Sequence, residues 1–148
     1  TLDLLVLCSY VGYDGQNQPF SLNEPLHTVL APADGSGKLP APEFALYVQM
    51  TDEDAHGSFD FTVEVRNDTN DVVIRHLTAE PLRVTFGSRY YPVKPFEHVF
   101  VIRDLVFDAP GVYNFHVMCG HASMSDRPNA TRPAKLRVVR AEAGGGGP

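Results

Sequence analysis

Sulfur and imidazole side chains are concentrated in one short segment near the C-terminal end of the chain. Cys119, His121 and Met124 bring a thiol, an imidazole and a thioether close together in sequence. Soft sulfur ligands combined with imidazole suit copper. A copper site would take its second imidazole from upstream, where the candidates are His27, His56, His76 and His98.

The stretch from Pro110 to Met124 resembles the end of a cupredoxin, in which a Gly-x-Tyr-x-Phe strand leads to Cys, His and Met ligands on one loop. The resemblance implies that Cys119 is the thiolate, His121 an imidazole and Met124 the axial ligand of a copper-binding electron-transfer protein. Only one residue separates Cys119 from His121 here, whereas cupredoxin loops place two or more residues between them.

Two other interpretations of the same segment remain open. In the first, the segment is an ordinary core strand, because alternate side chains of a strand share one face. Its buried face is then formed by Tyr113, Phe115, Val117 and Cys119, and Asn114, His116 and Met118 lie on the opposite face. In the second, His116, Cys119 and His121 bind zinc, although this set lacks an obvious fourth ligand.

Acidic turns are the second kind of candidate metal site. The residues that would meet if their loops share one end of the molecule are Asp14, Asp52, Glu53, Asp54 and Asp108. Calcium takes oxygen ligands from carboxylates and carbonyls, so this set predicts a calcium site. Residues 67–71 form another acidic tip, and the same segment predicts a hairpin turn because Asn and Asp tolerate the left-handed conformation that such a turn needs. The alternative is that these carboxylates are solvated turn residues.

The recognised catalytic motifs are absent from the sequence. It has no Gly-x-Ser-x-Gly elbow, no His-Glu-x-x-His motif and no glycine-rich phosphate loop. No serine or cysteine stands beside a base in a pattern that would activate it. We therefore expect no catalytic residues, no required cofactor and no enzymatic activity.

One segment interleaves basic and aromatic side chains and is the candidate interface. Its residues are Arg89, Tyr90, Tyr91, Lys94 and Phe96. Arginine and tyrosine are enriched at protein interfaces. The same pattern can stack on single-stranded nucleic acid, but the formal net charge of −6 argues against a nucleic-acid partner. We expect a protein partner or self-association.

Length and composition indicate one globular domain. The chain has 148 residues, of which 43% are hydrophobic and 20% are charged. We assign residues 1–140 to the domain and residues 141–148 to a flexible glycine-rich tail. Two cysteines make no disulfide framework, and the sequence leaves open whether Cys8 and Cys119 are bridged.

Localisation is predicted from the absence of targeting signals in the sequence. No apolar run is long enough to span a bilayer. The first apolar run carries Asp3 and has no basic residue before it, unlike a secretory signal. The expectation is a cytoplasmic protein, or a secreted one if a presequence has been removed.

Strand patterns dominate the whole chain. Apolar side chains at Phe59, Phe61, Val63 and Val65 alternate with polar ones, which is typical of a half-buried strand. The predicted strands are residues 2–11, 20–30, 43–50, 58–65, 72–77, 82–86, 97–107, 111–119 and 134–140. No window has a helical apolar repeat. The sequence therefore predicts an all-β, single-domain antiparallel β-sandwich, immunoglobulin-like or C2-like, with about eight or nine strands.

Two groups of short motifs carry a family resemblance. The first is Asp3-Leu-Leu-Val-Leu-Cys-Ser-Tyr10 with Asp14-Gly15 and Phe20-Ser-Leu-Asn23, and the second is Asp108-Ala-Pro-Gly-Val-Tyr-Asn-Phe115 with Leu136-Arg-Val138. Together they resemble an uncharacterised bacterial family of small β-sandwich domains, a domain of unknown function. The resemblance implies a sandwich fold and brings no established catalytic residues. The long connection between Cys119 and Pro133 departs from the short final hairpin expected there.

These observations predict a non-enzymatic binding or assembly module that presents sheet edges and loops to a macromolecular partner. The alternatives are a cupredoxin-like copper-binding electron carrier and a calcium-dependent lipid- or glycan-binding sandwich.

Overall fold

Strands account for nearly all regular structure in the described part of the chain. The computed structural model describes residues 2–16, 19–32, 37–51, 57–77, 80–86 and 96–141. Its strands are, in chain order, β1 (Leu2–Tyr13), β2 (Pro19–Pro25), β3 (Thr28–Pro32), β4 (Leu39–Pro40), β5 (Phe44–Met50), β6 (Gly57–Asn67), β7 (Val73–His76), β8 (Leu82–Phe86), β9 (Phe96–Ile102), β10 (Val106–Phe107), β11 (Gly111–Cys119), β12 (Ala122–Ser123) and β13 (Ala134–Ala141). One turn of 3-10 helix, Met124–Asp126, follows β12.

The predicted strands are confirmed in position, but the predicted number is too small. The described residues form thirteen strands because two predicted strands are each divided and two short ones, β4 and β12, were not predicted. Residues 20–30 break at Leu26 and His27, between β2 and β3. Residues 97–107 break between β9 and β10, where Asp104 has a left-handed backbone with φ of 56°.

The strands form two main sheets. Sheet A has the order β2-β1-β5-β9, and sheet B has the order β3-β13-β11-β6-β7, with β8 also paired to β6 and β12 to β11. Among the described strands, every pairing is antiparallel except that of β3 with β13. This parallel pair corrects the purely antiparallel prediction. It arises because the chain crosses from sheet A to sheet B between β2 and β3 instead of turning back in a hairpin.

The two sheets pack face to face, which confirms the sandwich. Phe44, Leu46 and Val48 of β5 are at most 1% exposed, and Phe115 and Val117 of β11 are fully buried. The Phe44 and Phe115 rings meet edge to face across the sandwich, with centroids 5.7 Å apart. Such aromatic pairs add to the stabilisation from buried area. The contact between these two buried rings places the core between sheets A and B.

The two cysteines are free thiols in different sheets. Cys8 is fully buried in β1, and Cys119 is half-buried at the end of β11. Burial raises the pKa of the Cys8 thiol. The glycine-rich tail predicted for residues 141–148 lies outside the described residues apart from Ala141. Within the described ranges, no helix has the length and apolar character needed to cross a membrane.

Candidate functional site

A groove of about 510 Å³ opens between the two sheets, where β1 and β13 approach each other. Three segments line it: residues 5–7 of β1, residues 26–27 of the sheet crossover, and residues 131–135 leading into β13. Its volume is within the usual range for ligand-binding clefts. These segments were not grouped by the sequence analysis because they are far apart along the chain.

The groove exists because two neighbouring strands are too short to cover it. β2 pairs with β1 only from Cys8 onward. β3 pairs with β13 only from Arg137 onward. Among the strands that the structure describes, the first halves of β1 and β13 therefore each have a neighbour on one side and an open edge on the other.

The open edge of β1 directs backbone polar groups into the groove. The Leu26 N–H donates to the Leu7 carbonyl at 2.8 Å, so the polar groups of Leu7 point away from β5. Residues two apart in a strand direct these groups to the same side. The N–H and C=O of Leu5 therefore also face the groove, where no described strand pairs with them.

The wall formed by β13 follows the same rule. The Arg137 N–H donates to the His27 carbonyl at 2.9 Å, so the backbone groups of Lys135 also point to the open edge. The Thr131 N–H donates to the Leu2 carbonyl at 2.9 Å and closes the far end of the groove. Between Leu2 and Leu7 the open edge of β1 is about 17 Å long.

The groove is apolar inside and basic at its ends. Leu5, Leu7 and Ala134 are buried in its floor, and Leu26 is half-buried. His27 lies at the crossover end and Arg132 at the opposite end; both are exposed. None of the described residues that line the groove is a carboxylate.

Lys135 contributes little charge to the groove itself. Its ammonium lies 3.5 Å from the Asp68 carboxylate. Lys135 is in register with Asn114 of β11, and the Asn114 amide also donates to Asp68, at 2.7 Å. The Lys135 side chain is therefore directed across sheet B, while its backbone lines the groove.

A second polar cluster lies on the outer face of sheet B. His116 Nδ1 is 2.7 Å from the Ser123 hydroxyl, and His116 stands opposite Glu64 in the β11–β6 register. The Arg66 guanidinium donates to Glu64 at 2.8 Å. Sequence reasoning missed this cluster because strand register, which is not readable from spacing, brings Glu64 to His116.

The second cluster has triad-like residue types but is sealed from solvent. Ser123 is 2% exposed, and both His116 and Glu64 are 6% exposed. The Ser123 hydroxyl also accepts from the Ser125 N–H and so caps the 3-10 turn. Burial and the nearby Arg66 guanidinium lower the pKa of His116, against the opposing effect of nearby carboxylates. The geometry favours a structural role for this cluster.

The structure separates the three predicted copper ligands into different environments. Cys119 ends β11, half-buried against the core, and Gly120 turns the chain with a φ of 62°. His121 is exposed, whereas Met124 is buried in the core. In the described part of the chain, no group of three His, Cys, Asp or Glu side chains is arranged to hold a metal ion. Copper and zinc binding stay predictions.

The upstream histidines named for that site are dispersed. His27 lies at the groove, and His76 is exposed on β7. His98 lies between Phe96 and Phe100, with ring centroids 6.3 and 4.6 Å from its own. Burial lowers the pKa of His98. His56 lies outside the described residues.

The predicted interface segment is mostly outside the described residues. This applies to Arg89, Tyr90, Tyr91 and Lys94. Phe96 is half-buried at the start of β9, in register with the core residue Met50. Its ring packs against the core, so Phe96 belongs to the interior side of sheet A.

The predicted calcium ligands are only partly described. Asp52, Glu53 and Asp54 lie outside the described residues, while Asp14 and Asp108 are exposed.

The other acidic tip, residues 67–71, is a turn bonded to itself and to its neighbours. Asn67 and Asn70 accept from backbone N–H groups two residues ahead, and Asp71 has a left-handed φ of 57°. These bonds explain its Asn and Asp content as turn chemistry.

Compared with models of known protein families and with curated proteins, the chain matches none. The resemblances to a bacterial sandwich family and to the cupredoxin loop therefore stay predictions.

Proposed function

We propose that the protein is a non-enzymatic binding module that takes an extended segment of a partner protein into the groove between β1 and β13. The observation that carries this proposal is an edge of β1 that no described strand pairs, where the backbone N–H and C=O of Leu5 face the groove. A donor and an acceptor on one residue are what a neighbouring strand requires.

The floor of the groove supports a peptide over other ligands. Strand addition takes its affinity from main-chain hydrogen bonds and its specificity from pockets for alternate side chains. Leu5, Leu7 and Ala134 provide an apolar floor for such side chains. A purely apolar ligand would leave the Leu5 donor and acceptor unpaired, which costs free energy once they are buried.

The sealed His116–Ser123 pair supports the non-enzymatic part of the proposal. A nucleophile must reach its substrate, and the Ser123 hydroxyl is bonded to His116 and to the Ser125 backbone beneath the surface. These hydrogen bonds of Ser123 hold the 3-10 turn that follows β12 against sheet B.

The test titrates the isotopically labelled protein with the peptide acetyl-Gly-Glu-Val-Ser-Val-Glu-Gly-amide, observed by amide NMR. We expect the largest shift changes at Leu5, His27 and Lys135, which line the groove. Two further peptides are methylated at alternate backbone nitrogens. One carries the methyl groups at the odd-numbered positions and the other at the even-numbered positions, and these are the two phases of methylation. At least one phase must abolish binding, because methylation removes the donors that a strand needs. Equal binding by all three peptides would overturn strand addition.

Groove-filling and control variants complete the test. Thr131→Trp places a large side chain in the groove while keeping the backbone N–H that bonds Leu2. It should abolish peptide binding. Thr85 is exposed on β8, and Thr85→Trp should leave binding unchanged. Binding that survives Thr131→Trp would place the peptide elsewhere and contradict the proposal.

A further inference from the structure

We infer that the partner segment is acidic at both ends of a short apolar stretch, with about five residues in contact with the groove. This inference rests on the proposed function and specifies the chemistry of its partner. It is carried by the placement of exposed basic side chains at the two ends of a groove whose described lining residues are otherwise mostly apolar and include no carboxylate.

The first basic end is Arg132. It is exposed and lines the groove next to Thr131, whose N–H bonds to β1. Arg132 has no ion-pair partner among the residues that the structure describes. A guanidinium matches a carboxylate through paired N–H donors. Arg132 is therefore available to an incoming carboxylate without breaking an existing pair.

The second basic end is His27, at the sheet crossover. Its carbonyl is held by the Arg137 N–H, which fixes the backbone while the side chain remains exposed. An imidazole can donate a hydrogen bond to a carboxylate in either protonation state. Both ends of the groove thus offer donors suited to acidic side chains.

The basic lining of the groove contrasts with the acidic composition of the chain. The chain has 18 acidic residues and 12 Lys and Arg residues, so a groove whose described lining includes Arg132 and Lys135 and no acidic residue departs from the overall composition. Charges more than about 8 Å away are largely screened at physiological salt. A bound peptide therefore responds to the charge of Arg132 at the groove more than to the net charge of −6, and His27 contributes a hydrogen-bond donor.

Strand geometry sets the spacing of the acidic residues. The open edge of about 17 Å accommodates about five extended residues, and alternate side chains point the same way. The second and fourth residues then face the apolar floor, and the first and fifth lie at the basic ends. A sequence such as Glu-Val-Ser-Val-Glu has this pattern.

The experiment compares three peptides that differ only at those two ends. They are acetyl-Gly-Glu-Val-Ser-Val-Glu-Gly-amide and the versions with Gln or Lys in place of both Glu residues. We expect the Glu peptide to bind about fivefold more tightly than the Gln peptide, as exposed charge pairs are individually weak, and the Lys peptide to bind least. The Glu preference should shrink as salt is added.

A charge-reversal variant locates the effect. Arg132→Glu should remove most of the preference for the Glu peptide, while Arg140→Glu, on the exposed far end of β13, should keep it. Equal binding of the Glu and Gln peptides would overturn the acidic assignment and leave strand addition standing. Failure of all three peptides to bind would overturn the proposed function as well.

Discussion

The backbone N–H of Thr131 donates to the carbonyl of Leu2 at 2.9 Å and joins the approach to the last strand to the beginning of the first. The bond links the two sheets at one end of the groove. At the other end, Leu26 bonds to Leu7 in the same way. The open edge between these two bonds is the part of the molecule on which the proposed function depends.

Removing the Thr131 donor should loosen this end of the sandwich. Thr131→Pro lacks the N–H, and loss of a backbone hydrogen bond costs about 1 kcal/mol or more. Urea unfolding should show that loss, whereas Thr131→Ala, which keeps the N–H, should be close to the parent. Equal stability of the proline and alanine variants would show that the Leu2 bond contributes nothing.

The two serines after β11 should respond in opposite ways to alanine. Ser123→Ala removes the bond to His116 and the cap of the 3-10 turn, at a cost of about 1–2 kcal/mol. Ser125 has a buried hydroxyl with no hydrogen-bond partner within the described ranges. Ser125→Ala should therefore be neutral or stabilising. Thermal unfolding of both variants checks this, and a larger loss for Ser125→Ala would contradict it.

Stability should fall as the solution is acidified below neutral pH. Burial lowers the pKa of His116 and His98 from the ordinary value of 6.5, while Arg66 also lowers that of His116 and Asp71, Asp126 and Glu64 oppose it. The unfolded chain then binds protons at higher pH than the native protein does. The stabilisation is complete above about pH 6.5 and is lost as pH falls toward the native pKa values.

Unfolding measured from pH 8 to pH 5 tests this linkage. His116→Gln should reduce the change in the free energy of unfolding with pH, and the double variant with His98→Gln should reduce it further. An unchanged slope in the double variant would assign the pH dependence to other groups.

The buried ion pair should matter far more than an exposed one. The Arg66 and Glu64 side chains are only 16% and 8% exposed, so Arg66→Met leaves a buried carboxylate unpaired, at a cost of about 3 kcal/mol. Arg83 pairs with Asp60 at a similar distance of 2.9 Å but on the surface. Arg83→Met should lower the free energy of unfolding much less than Arg66→Met when both variants are unfolded in urea.

Local pattern was sufficient to predict the strands. Alternation in the segment around Val63 and Val65 predicted one buried face, and both residues are fully buried. The turn at residues 67–71 was predicted from Asn and Asp, and Asp71 does adopt the left-handed conformation. Strand alternation and turn conformation depend on residues that are close together along the chain, which is why both can be predicted from the sequence.

Pairing between strands that are distant along the chain could not be predicted from the sequence. His116 and Met118 were assigned to the face opposite the core, yet both are buried, because Glu64 and Arg66 of β6 and the connection after β11 cover them. The groove was missed for the same reason. Leu5 and Lys135 meet there only through the sheet order and the crossover at Leu26.

Amide hydrogen exchange at Leu5 tests the central claim most directly. The backbone groups of Val6 face β5, where Val6 is in register with Tyr47, so its amide should exchange slowly. The Leu5 amide faces the groove, so we predict fast exchange in the free protein and protection when the Glu peptide is added. Exchange at Leu5 as slow as at Val6 in the free protein would mean that this edge is already paired and would contradict the account.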